Sequence, residues 1–118
     1  MKLRLLTTLT VCAAALAPAA SAASSLTVNP SAPTVSSGVY FTVSGKSTGG
    51  RDFLAVEVSC SSGGAEVYAT RIYVALDANG TGTSETIHPP ASSCTAMLEA
   101  AQSIDRFKVL ATTSFVVT

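Results

Sequence analysis

The sequence predicts an all-β fold, a sandwich of about seven short antiparallel strands. Apolar residues recur at alternate positions through most of the chain, which puts them on one face of an extended strand. Clusters of Gly, Ser, Pro and Asn break that alternation at short intervals. Two well-separated cysteines, Cys60 and Cys94, follow an N-terminus that reads as an export signal, a setting in which thiols pair. Short β-rich runs at this spacing indicate a sandwich or a barrel, and the sandwich is the reading adopted.

The first element is an address. Lys2 and Arg4 form a basic head and Leu5 to Ala17 an apolar run; Pro18 breaks it, and Ala20-Ser21-Ala22 offers the small residues a signal peptidase reads. Residues 1–22 are therefore expected to be a secretory signal peptide and residues 23–118 one exported domain. The apolar run is shorter than the ~20 residues of a membrane anchor. Cys12, after Leu9-Thr10-Val11, makes a poor lipid-attachment site. No membrane span is expected in the mature chain, and the protein is expected outside the cell. At about 95 residues it suits one small domain rather than two.

Strand signals follow in order. Leu26 and Val28 alternate with Thr27 and Asn29 until Pro30 and Pro33. Val39, Phe41 and Val43 share a face opposite Tyr40, Thr42 and Ser44. Leu54, Val56, Val58 and Cys60 oppose Ala55, Glu57 and Ser59. Ile72, Val74 and Leu76 form a stripe, with Tyr68 and Tyr73 on opposite faces. Phe107, Val109, Ala111, Phe115 and Val117 are expected to line the inner face of the last strand. The segment Ser93 to Gln102 is ambiguous, being rich in Ala, Met, Leu, Glu and Gln, which favour helix. Read as a strand, it turns Cys94, Ala96, Leu98 and Ala100 inward and Thr95, Met97, Glu99 and Ala101 outward; the strand is preferred.

Composition excludes some functions. The leader takes two of the seven bases and none of the seven acids, leaving a net charge of −2. Nothing resembles the basic stripe that a phosphate backbone requires, so no nucleic acid is expected as a partner. Cys12 leaves with the leader, and Cys60 and Cys94 are read as one disulfide, with a reactive thiol or a metal-binding thiolate pair as the alternatives. Closing a loop of about 35 residues is worth about 3.5–4 kcal/mol in the chain-entropy account.

Leu26-Thr27-Val28-Asn29-Pro30, Tyr40-Phe41-Thr42-Val43-Ser44-Gly45 and Leu76-Asp77-Ala78-Asn79-Gly80-Thr81 resemble segments of bacterial secreted immunoglobulin-like domains. The resemblance covers the mature chain and implies an immunoglobulin-like antiparallel β-sandwich. In it the third and sixth strands are antiparallel neighbours, so Cys60 at the end of one lies beside Cys94 at the start of the other. The outline is also similar to neocarzinostatin-type apoproteins, which hold a small chromophore in a cleft. Those proteins typically carry two disulfides closing short loops, so no ligand-binding residue transfers. A conventional immunoglobulin domain joins its second and sixth strands and has a Trp on the third; neither feature is present here.

Candidate chemistry is sparse. His88 with Ser84, Ser92 or Ser93 and Glu85 could be drawn as a hydrolase triad, but Thr86 to Pro90 offers no oxyanion hole or oriented acid. A solvated loop histidine is expected, and no catalytic residue. A zinc site needs three or four ligands, and no cofactor or metal is expected. Asp77-Ala78-Asn79-Gly80 lacks the spacing of a calcium loop and suits a hairpin-type turn. Tyr40, Tyr68, Tyr73 and Phe53 could stack on sugars, but lie on different strands and read as packing and cross-strand pairs.

The sharper candidate is a surface. In the implied topology the loops Ser44 to Asp52, Asp77 to Gly82 and Gln102 to Arg106 gather at one pole. They carry Lys46, Arg51, Asp52, Asp77, Asp105 and Arg106 there, with the disulfide at the other pole. The leading expectation is a secreted, non-catalytic binding module for an unidentified protein or surface ligand. A small-ligand carrier is the first alternative and a secreted hydrolase the second.

Overall fold

Seven strands form two antiparallel sheets in the computed structural model, which describes residues 23–118; the signal peptide assigned to residues 1–22 lies outside the described residues. The strands are β1 (Ser25–Asn29), β2 (Tyr40–Ser44), β3 (Phe53–Ser62), β4 (Ala65–Ala75), β5 (Thr81–Thr83), β6 (Ser92–Ser103) and β7 (Arg106–Val117). One sheet has the order β1-β2-β5 and the other β4-β3-β6-β7. The fold class is the predicted all-β sandwich.

Alternation builds the core as expected. Phe41 and Val43 of β2, Leu54, Val56, Val58 and Cys60 of β3, Ile72 and Val74 of β4, and Cys94, Ala96, Leu98 and Ala100 of β6 form one buried cluster. Phe41 packs edge-on against Phe115 across the sandwich, with ring centres 5.9 Å apart. Such burial is the main favourable term in folding a small domain.

The ambiguous segment is strand β6. Its partners decide this: β6 pairs with β3 on one side and β7 on the other, so extended backbone satisfies both rows of amides and carbonyls. Helix propensity is a weak prior beside two ladders. Cys60 and Cys94 are direct register partners and form a disulfide with Cα atoms 4.0 Å apart. The bond therefore staples two strands of the same sheet.

The last strand departs from expectation. Leu98 pairs with Ala111 while Glu99 pairs with Val109, so β7 carries an extra residue, Leu110, in a bulge. One added residue inverts the phase of the alternation. Ala111, Phe115 and Val117 keep to the core side. Phe107 and Val109, expected inside, pair instead with the outward residues Ala101 and Glu99.

Two connections were not foreseen. After β1, Val35 donates its amide proton to the Thr118 carbonyl (2.9 Å) and Thr118 donates to the Pro33 carbonyl (3.2 Å), tying the first segment to the end of β7. Strand β5 is only three residues long, because beyond it the Ser84 hydroxyl accepts the Phe41 amide proton at 2.8 Å.

Candidate functional site: the loop pole and the outer face beside it

The three predicted loops meet at one end of the sandwich. Gly45 donates to the Gly80 carbonyl at 3.0 Å and Leu76 to the Asp52 carbonyl at 2.8 Å, joining the β2–β3 and β4–β5 connections. The Thr48 hydroxyl donates to the Ala101 carbonyl, pinning the first of these to the end of β6. The charged residues divide by role. Asp77 organises its own turn, accepting from the Asn79 amide (2.9 Å), the Thr81 amide (3.0 Å) and the Thr81 hydroxyl (2.7 Å). These hydrogen bonds hold its carboxyl below the usual range. The expected tight turn is present, with Gly80 at φ +78°, but it carries the chain from one sheet to the other rather than linking neighbours in one sheet.

Arg51 is positioned for contact. Its guanidinium donates to the Thr48 carbonyl at 3.0 Å, and its backbone amide donates to the same carbonyl at 3.2 Å. Gly49 makes room: a Cβ there would lie 2.2 Å from an Arg51 guanidinium nitrogen. Both ion pairs among the described residues belong to Arg71, so Arg51 has no carboxylate partner there. Lys46, Asp52, Asp105 and Arg106 are exposed.

Arg51 borders two grooves. One, of about 260 Å³, is lined by Lys46, Asp52 and Asp77 among others. The second, of about 320 Å³, lies on the outer face of the four-stranded sheet between Phe53, Tyr73, Ile104 and Phe107. It adjoins an apolar hollow of about 410 Å³ formed by Phe53, Tyr73 and Ala75. Phe53 and Tyr73 meet edge-to-face with centres 5.5 Å apart. Tyr73 is 60% exposed, and Ile104, at the β6–β7 turn, is 97% exposed. A larger groove of about 820 Å³ lies between the sheet edges, but its Ser25 and Ser44 hydroxyls bond each other (2.6 Å) and its Asp77 serves the turn. The Ser25, Ser44 and Asp77 groups that line it are thus already partnered.

The same outer face carries an ion-paired cluster. Arg71 reaches from β4 across β3, 3.1 Å from Glu57 and 3.2 Å from Glu99. Its guanidinium carbon also lies 3.9 Å from the Phe107 ring centre, a cation–π contact. Glu99 faces outward yet is only 4% exposed, as Ala55 and Ala101 on that face are also buried. Burial pushes its carboxyl above the usual range, and the neighbouring Glu57 adds to this, outweighing Arg71.

Sequence reasoning placed Lys46, Arg51, Asp52, Asp77, Asp105 and Arg106 on loops at this pole; the first five are on them, and Arg106 is the first residue of β7 beside them. It missed the cluster of Phe53, Tyr73, Phe107, Arg71 and Glu99. Phe53 and Tyr73 were grouped with Tyr40 and Tyr68, yet Tyr68 packs against the core and Tyr40 belongs to the other sheet. Charges at both Arg71 and Glu99 on outward positions of strands were the available signal.

At the opposite pole His88 is exposed. The Ser84 hydroxyl donates to the Glu85 carbonyl (2.8 Å), and that of Ser92 to the Pro90 carbonyl (2.7 Å). Among the described residues no three His, Cys, Asp or Glu side chains cluster as a metal site, and no helix is long and apolar enough to cross a membrane. Compared with protein-family models, curated proteins and solved structures, the chain matches none.

Proposed function

We propose that this chain is an exported, non-catalytic binding module of immunoglobulin-like design, which contacts its partner through the loop pole and the adjoining outer face of the four-stranded sheet. The observation that carries this reading is the position of Arg51, which has no carboxylate partner among the described residues, where a charged groove meets an exposed aromatic one. Loops held on a rigid sandwich are a common site of recognition. Tryptophan, tyrosine and arginine are enriched among the few residues that dominate the energy of binding surfaces. The Cys60–Cys94 disulfide suits an oxidising compartment, in keeping with the leader-like N-terminus.

The experiment compares the purified protein with a Lys46→Ser, Arg51→Ser, Arg106→Ser variant on peptide and glycan arrays and on intact cells of the source organism. Saturable binding is expected for the first and loss of it for the second, with the melting temperature lowered by no more than a few degrees. Binding that survives the triple change overturns the reading.

A further inference from the structure

We infer that the groove between Arg51 and the Phe53–Tyr73–Phe107 cluster takes a monocarboxylate carried on an apolar body, either a free small acid or the C-terminal residue of a polypeptide. This deepens the function proposed above and rests on it.

The cation is set in place before any ligand arrives. The Thr48 carbonyl holds the Arg51 guanidinium, the bare Cα of Gly49 leaves it space, and the Thr48 hydroxyl ties the loop to β6. A preordered guanidinium loses little side-chain freedom on binding, and its planar donors match a carboxylate's two oxygens. Phe53, Tyr73, Phe107 and Ile104 line the same groove as Arg51.

The local charge sets the ligand's valence. Arg71, the other guanidinium beside these rings, already serves Glu57 and Glu99. Those carboxylates oppose a dianion such as a phosphate monoester, while Arg51, the one charged residue lining the groove among the described residues, balances one negative charge. A cationic or neutral apolar ligand would leave Arg51 unmatched. At about 320 Å³, opening onto a further 410 Å³ over Phe53, Tyr73 and Ala75, the space accepts a phenyl or branched alkyl group.

The test is an NMR titration of the isotope-labelled protein with N-acetylphenylalanine, its carboxamide, the peptide acetyl-Gly-Gly-Phe and that peptide's C-terminal amide. Saturable shifts are expected at residues 48–53, 73 and 101–107, with each acid binding at least about tenfold more tightly than its amide. Arg51→Gln should bring the acids to the level of the amides, Arg51→Lys should retain part of the preference, and Tyr73→Ser should weaken both. Tighter binding of the peptide acid identifies a polypeptide C-terminus, and tighter binding of N-acetylphenylalanine a free small acid; either supports the inference. Equal binding of acid and amide, shifts confined to other residues, or none at millimolar ligand overturns it. If the acids fail while the triple variant still loses its array contacts, only this inference falls. If the acids bind while that variant keeps its contacts, the broader reading falls instead.

Discussion

Arg71 Nε lies 3.2 Å from Glu99 Oε1, an ion pair that joins β4 to β6 across the intervening strand β3. Glu99 is buried and Arg71 about one-third exposed, so the two partners stand in different dielectric surroundings. Removing Arg71 leaves a buried carboxylate without its cation. Arg71→Met is therefore expected to cost about 2 kcal/mol, below the range for a fully buried pair because solvent screens the guanidinium. Urea denaturation measures it. Arg71→Met combined with Glu99→Gln should recover part of the loss, since no charge is then stranded.

The two perturbed carboxyls give opposite pH dependences. Glu99 titrates above its ordinary value of 4.5, so the folded state holds that proton more tightly than the unfolded chain. Its contribution to stability is greatest below that value and declines as pH rises through the folded-state titration. Asp77 titrates below its ordinary value of 3.8; its contribution is complete above that value and is lost as pH falls through the folded-state titration. Thermal melts across pH 2–8 (about six units) should therefore show Glu99→Gln flattening the decline above 4.5 and Asp77→Asn reducing the acid loss.

The disulfide closes a sequence separation of 34 residues, and both cysteines belong to the core. Cys60→Ala with Cys94→Ala should lower stability by about 3–4 kcal/mol, or the melting temperature by roughly 15–25 °C for a domain of this size. Calorimetry of the double variant and of the reduced protein should agree on the direction.

Gly82 of β5 lies against the end of β4: a Cβ on it would stand 2.2 Å from the Ala75 carbonyl oxygen and 2.9 Å from Val74 Cγ1. Both neighbours are parts of a packed sheet and cannot move aside cheaply. Gly82→Ala should destabilise the fold by about 2 kcal/mol or more, read from the denaturation midpoint.

Ile104 provides the contrast. At 97% exposed it contributes almost nothing to the core, so Ile104→Ser should change stability by less than about 0.5 kcal/mol. The same substitution should weaken binding of N-acetylphenylalanine several-fold in the NMR titration, since Ile104 lines that groove.

Period-two alternation made the inward faces of β2, β3, β4 and β6 legible, because a strand buried on one side must alternate wherever its register is regular. The turn at Asn79-Gly80 was legible for a similarly local reason, the glycine's positive φ. The disulfide was legible from the cysteine count and the strand count together. The reversal of Phe107 and Val109 was not, since the bulge at Leu110 depends on which residues β6 places opposite β7. Nor was it legible which of the expected cross-strand aromatic pairs would form: the edge-to-face contact of Phe53 with Tyr73 requires knowing the β3–β4 register.

The chain's own residues thus determined the strands, the covalent bond and the loops that carry charge, all consequences of spacing along one dimension. Tertiary structure alone decided which aromatic rings meet, why Glu99 is buried on an outward face, and where Arg51 stands between two grooves. Those outcomes follow from lateral register between strands, and register is set by pairs of segments rather than by any segment alone.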